Sequence, residues 1–212
     1  ITEEKVVRNS LIVDEGDAFN EVLFDKSINS IKSRGIFKKV ETNIKTSKTD
    51  NQKKVIDIIV EEMQTGEVYA GAGTGTSGST LTAGMQEKNY LGKGIKLGTN
   101  ILISEDEIKG KFSVTNPNFK NTDRSLKTTL ESTSSDFLST GGFKTSRTGF
   151  SLGTGFEQYS DLYVNLDISA YYEKLETAST ASAHKKKQEG DYLENLFRYK
   201  LIMLSLIHIW RC

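Results

Sequence analysis

The chain has 212 residues and a mass of 23.6 kDa, with 28 Lys+Arg matched by 28 Asp+Glu. A net charge of zero argues against a nucleic-acid binder held by a basic face, and against a highly charged disordered tail. One cysteine (Cys212) leaves no internal disulfide framework, and two histidines (His184 and His208) argue against a multi-histidine metal site.

Residues 1–64 hold 23 charged residues and two glycines, whereas the rest holds 33 and 16. This shift sets a boundary near Thr65-Gly66. The first part reads as helix, helix, strand, strand. Thr2 is placed to cap a first helix, with Glu3 and Glu4 against its dipole and Val6, Val7 and Leu11 as its buried side. Phe19, Val22, Leu23, Ser27, Ile28 and Ile31 recur at helical spacing, with Asp17 or Asn20 as the cap and Gly35 as the stop. Asp14, Glu15 and Asp17 form a small acidic loop, for which capping is preferred over metal binding. Phe37 to Ile44 and Val55 to Val60 are strand-like, joined by a polar hairpin with Asp50-Asn51 at its tip.

The rest alternates with a period of two. Seven or eight strands are predicted, around Val68–Ala72, Leu81–Met85, Ile95–Ile103, Ile108–Val114, Leu126–Leu130, Phe150–Phe156, Val164–Ala170 and, less regularly, Leu193–Leu201. Glu105-Asp106-Glu107 reads as a tight turn, and 133–146 and 173–191 as long polar links. Strands of about nine to eleven residues with this alternation fit an outer-membrane barrel. A soluble sandwich alternates too. Polar faces rich in Gly, Ser, Thr and Asn favour the membrane reading. So do aromatics near strand ends: Tyr90, Phe119, Phe137, Phe143, Tyr159, Tyr171 and Tyr172. No apolar run is long enough for a transmembrane helix.

Gly73-Thr-Gly-Thr-Ser-Gly78 matches the dinucleotide fingerprint, but the following residues alternate as a strand. The helix that must hold a pyrophosphate is missing from the pattern, so a glycine-rich hairpin is preferred. No nucleophile constellation stands out, and no enzymatic activity and no cofactor are expected. Lys185 to Lys187 read as a solvated loop. Gly66, Gly71, Gly73 and Gly75 crowd the first strand of the second part. Glycine weakens strand pairing, so this strand is either an openable seam that pairs with another chain, or simply makes room in a curved barrel.

Several segments resemble BamA-type outer-membrane protein assembly factors. Glu15 to Asn20, Ser27-Ile28 with Ile31, and Arg34 to Val40 resemble that family's last POTRA domain, whose β-α-α-β-β order lacks its first strand here. Thr65-Gly66 with Ala70-Gly71 and Gly73 resembles the first barrel strand. Glu87-Lys88-Asn89-Tyr90-Leu91-Gly92-Lys93-Gly94 resembles the first hairpin, the family-motif turn being Asn89, Tyr90, Leu91, Gly92 and Gly94. Thr115 to Phe119 and Thr148 to Gly153 extend the likeness.

The resemblance implies an α+β POTRA domain over 1–63, followed by antiparallel transmembrane strands of an incomplete barrel over 64–201. Residues 202–212, where the likeness fades, are expected to be a non-native tail, and the start at Ile1 a truncation. It also implies insertion of β-barrel proteins into the outer membrane, with the POTRA domain in the periplasm. The implied partners are unfolded outer-membrane protein clients, accessory periplasmic lipoproteins and outer-membrane lipid, with no nucleic acid. A secretion pore of a two-partner system, a passive porin and a soluble β-rich binding protein remain as alternatives.

Overall fold

A computed structural model of the chain describes residues 1–13, 15–47, 53–75 and 78–203. The chain divides into two units. The first comprises residues 1–66 and 87–95, and the second comprises residues 67–86 and 96 onward.

The first unit opens with two helices, α1 (Glu4–Arg8) and α2 (Glu21–Ser33). Glu3, not Thr2, occupies the cap position of α1, and it makes no side-chain cap bond. Thr2 is used elsewhere: its amide donates to Glu62 and its hydroxyl accepts from Asn89. Asn20 does cap α2, its Oδ1 accepting from Leu23 N at 3.1 Å, and Gly35 ends that helix with φ +63°. The buried side of α2 is Phe24, Ser27, Ile28 and Ile31. Val22 and Leu23, expected on that side, are exposed. At 100° per residue, Phe24 shares a face with Ile28 and Ile31, whereas Val22 lies on the far side.

An antiparallel hairpin, β1 (Phe37–Thr46) and β2 (Lys54–Glu62), supplies the other layer. Val40, Ile56, Ile58 and Val60 pack against a core of Val6, Phe24, Ile28, Ile31, Ile36 and Phe37. Each such side chain contributes about 1.5–3 kcal/mol when taken out of water. Ser27 sits in this core satisfied, donating to Leu23 O at 2.9 Å and accepting from Ile12 N at 2.8 Å. The expected hairpin tip at Asp50-Asn51 lies outside the described residues, although Ser47 N still reaches Lys53 O at 2.8 Å across it.

The second unit is built from eight strands: β3 (Gly66–Gly75), β4 (Gly78–Tyr90), β5 (Ile95–Ser104), β6 (Glu107–Asn116), β7 (Ser125–Phe137), β8 (Phe143–Tyr159), β9 (Leu162–Thr177) and β10 (Gly190–Met203). β3 starts, and β4 and β5 meet, within the first unit. Every strand lies beside its sequence neighbours, so the sheet is an open meander with β3 and β10 at its edges. The Thr76-Ser77 link between β3 and β4 lies outside the described residues. β10 carries Ile202 and Met203 in register against Tyr163 and Leu162.

Two expectations for this sheet are corrected. The segment 133–146 is largely strand, and 173–191 begins and ends in strand, because their polar residues pair across the sheet. Arg147 lies opposite Thr133 and Glu173, and Ser132 shares a 2.7 Å hydrogen bond with Thr148. β8 and β9 therefore reach 17 and 16 residues instead of about nine to eleven. Tyr171 and Tyr172 stand inside β9, not at its end. The Lys185–Lys187 segment is also less free than expected. Residues Ala183–Lys186 form a short helix, α3, capped by Ser182, and Lys185 Nζ lies 3.8 Å above the Phe143 ring.

None of the core cluster lies in the sheet. Most of its apolar residues share one face and are largely exposed, as in Val68, Leu81, Phe150, Ile168 and Phe197. The other face is polar and concave. A groove of about 560 Å³ there is lined by residues that include Lys111, Glu131, Arg147, Asp167, Tyr171 and Arg198. Arg147 donates to Glu194 at 2.6 Å and stacks 4.0 Å over Tyr171, while Arg198 binds Asp167 at 2.8 Å.

Candidate strand-pairing edge

β3 is the terminal strand of the sheet, with β4 on one side and no described strand on the other. All ten of its residues are exposed. A terminal strand presents a row of backbone N–H and C=O groups that another strand can use. Of the usual protections, β3 has one charged residue, Glu67. It carries no Pro, no Lys and no Arg, and Val68, Ala70 and Ala72 give it an apolar outer face. That face continues into a shallow groove of about 560 Å³ with Leu81, Ala83, Ile101 and Ile103.

The four glycines singled out from sequence fall into different surroundings. Among the described residues, a Cβ added at Gly73 or Gly75 would meet nothing within 4 Å. At Gly71 it would come 3.3 Å from the Thr82 methyl. The Gly73–Gly75 end of β3 is thus thinly packed, and each glycine there weakens the strand by roughly 0.5–1 kcal/mol relative to alanine. Gly66 is different. A Cβ there would lie 3.1 Å from a carboxylate oxygen of Glu87, so the strand begins in a crowded place.

Midway along the strand is an aromatic anchor that the sequence reading missed. The Tyr69 ring covers Gly84 so closely that a Cβ at Gly84 would collide with the phenol and with Thr99 O. The Tyr69 hydroxyl accepts from Asn100 Nδ2 at 3.1 Å, and the same amide reaches Thr82 Oγ1 at 3.3 Å. A sequence signal existed. Gly84 interrupts the regular strand Leu81–Met85, and a glycine on one strand commonly marks the close approach of a bulky neighbour on another.

The family-motif turn links β4 to β5. Leu91, Gly92 and Gly94 adopt φ of 54°, 72° and 66°. Asn89 closes the turn, its Oδ1 accepting from Gly94 N at 2.7 Å. Gly92 and Gly94 are buried. Gly92 lies against the Ile1 backbone, and a Cβ at Gly94 would be 3.0 Å from Val6 and 3.3 Å from Arg34. Burial holds the Arg34 guanidinium below its ordinary pKa, and it donates to Ser10 Oγ at 2.5 Å. The acidic loop supplies Glu15, which accepts from Arg8 at 2.8 Å; Asp14 lies outside the described residues.

Residues 89–203 match the Omp85 superfamily domain. A protein of Treponema pallidum (strain Nichols), provisionally named an outer membrane protein assembly factor, is 26% identical over 113 residues, covering 50% of this chain and 13% of that protein. The crystal structure of BamA from Haemophilus ducreyi lacking POTRA domains 1–3 superposes with a TM-score of 0.73 at 21% identity. CdiB from Acinetobacter baumannii superposes with a TM-score of 0.54 at 8% identity. Each of these two matches covers 95% of this chain and 40% of the solved one.

Proposed function

The chain belongs to the Omp85 superfamily, and we propose that it takes part in inserting β-barrel proteins into the outer membrane by strand addition at the β3 edge. The observation that carries this reading is β3 itself: an end strand of the described sheet, rich in glycine and without charged gatekeepers on its apolar face. A client strand laid along it would satisfy the free backbone groups of both chains, with no bond made or broken covalently. The process is therefore non-enzymatic and needs no cofactor. The first unit is read as a POTRA domain in the periplasm. Its order of two helices and a β-hairpin, and the extent of the fold similarity, support that reading. There it would hold extended segments of unfolded clients by the same edge pairing and work with accessory periplasmic lipoproteins, while the apolar face of the sheet meets outer-membrane lipid.

The test is replacement of Gly71, Gly73 and Gly75 by valine in the full-length protein. Valine favours strand pairing and restricts the backbone. Client assembly is expected to fall several-fold at unchanged protein level, and unchanged assembly would sink the edge reading. A second reading, a secretion pore for one dedicated substrate, draws on the fold similarity to CdiB. Clients that accumulate unassembled when the protein is depleted separate the two: many unrelated barrels for an assembly factor, one secreted protein for a pore.

A further inference from the structure

The two ends of β3 are held very differently. At its base, the Glu87 carboxylate accepts from the Thr65 hydroxyl and, at 2.6 Å, from the Asn89 amide. Lys88 N donates to Thr65 O at 3.4 Å, and Gly66 leaves just enough room for the carboxylate. Glu87 thus ties the residue before β3 to the last residues of β4 through hydrogen bonds to a charged acceptor, the stronger kind.

Asn89 extends the tie. Its Nδ2 donates to Thr2 Oγ1 at 2.7 Å, while its Oδ1 holds Gly94 N at the same distance. One residue further, Glu3 N donates to Gly92 O at 2.8 Å. Because Gly92 and Gly94 are buried against Ile1, Val6 and Arg34, the turn has no space in which to shift. Residues 87–95, the end of β4, the turn and the first residue of β5, accordingly group with the first unit. At the other end of β3, a Cβ at Gly73 or Gly75 would meet no atom of the described residues within 4 Å.

We propose that Glu87 and Asn89 are positioning residues that fix the base and register of β3, so that the edge frays from its glycine end and a client strand pairs in one register. The inference rests on the reading of β3 as the client-pairing edge. Its physical basis is local. Pairing opens first where side-chain contacts are fewest, and a strand whose base cannot slide keeps its inward and outward residues from exchanging faces.

The experiment is hydrogen exchange of the full-length protein in lipid nanodiscs, without client, followed by cross-linking of a stalled client to a cysteine at Val68. In the wild type, amides of residues 67–69 should exchange at least tenfold more slowly than those of residues 73–75. Glu87→Ala should abolish that gradient, and Glu87→Gln, which keeps the acceptor oxygen, should retain it. Thr65→Val removes only the donor and keeps the shape; it should weaken the gradient even if Glu87→Ala fails to fold. In Glu87→Ala the client cross-link should spread from one register to several. Uniform exchange along β3 in the wild type, or a gradient unchanged in both Glu87→Ala and Thr65→Val, would overturn the anchor. A gradient that behaves as described with no client cross-link at Val68 would support the anchor and overturn the client-pairing reading instead.

Discussion

In the first unit Ile31 and Ile36 are 0% and 1% exposed, and the apolar residues of two helices and a hairpin converge on one another. In the sheet the apolar residues point away from the chain, with Val68 81% exposed and Ile168 50% exposed. The two units are answers to two solvents. Water drives the first to close over its apolar side chains. The sheet closes over nothing apolar, and its exposed face is stable only where the solvent is itself hydrocarbon, with the backbone groups between neighbouring strands paired inside the sheet. Charge follows the same division. The ion pairs Arg147–Glu194 and Arg198–Asp167 gather on the concave face, which holds the polar side chains that the outer face excludes.

The sharpest way to break this comparison is to truncate one isoleucine in each unit of the full-length protein in nanodiscs. Ile31→Ala removes a side chain that is wholly enclosed, so it leaves a cavity and should lower stability by about 2–5 kcal/mol. Ile168→Ala removes a side chain that faces outward; lipid fills the space, and the change should stay within about 0.5 kcal/mol. Pulse proteolysis across a urea series reads the first, and the heat-induced shift in gel mobility reads the second. Equal losses at the two sites would mean that the outer face of the sheet is covered by protein.

A finer version compares two glycines within the sheet. Gly149 lies opposite Tyr171, and a Cβ there would come 2.6 Å from the ring and 2.7 Å from the Tyr171 Cα. Gly149→Ala must push two strands apart in the long β8–β9 pair and should cost about 1–3 kcal/mol. Gly73 has open space around it, and Gly73→Ala should stabilise the β3 edge by about 0.4–1 kcal/mol through lost freedom of the unfolded chain. Thermal unfolding of the two variants should therefore shift in opposite directions.

What the sequence made legible was whatever depends on near neighbours. The strict alternation of Val164, Leu166, Ile168 and Ala170 located β9, and Asn20 and Gly35 marked the two ends of α2. What it hid depends on partners far along the chain. The ends of β8 and β9 look like polar loops until Arg147 is placed opposite Glu173. The Gly66, Gly71, Gly73 and Gly75 series looks uniform until Glu87 is set against the first and open space around the last two. Tyr69 and Gly84 become a pair only when β3 lies beside β4. The Glu87–Ile95 turn follows strand residues in sequence, yet its hydrogen bonds reach back to Thr2 and Glu3.

The smallest expected effect concerns acid, and it sharpens the same division, because the group lies in the water-facing unit. The Glu62 carboxylate accepts from the backbone amide of Thr2, which holds its pKa below the ordinary value of 4.5. A carboxylate whose pKa is depressed on folding stabilises the fold fully above its unfolded pKa and loses that contribution as pH falls through the folded value. The hydrogen bond between the chain start and the end of β2 should thus be intact at neutral pH and weaken below about pH 4.5. Because Glu62 is largely solvated, the loss should be modest. Glu62→Gln keeps an acceptor but cannot titrate, so its urea midpoint should fall less than that of the wild type between pH 6 and pH 3. Parallel acid limbs for the two proteins would show that the Thr2 contact contributes nothing to the stability of the first unit.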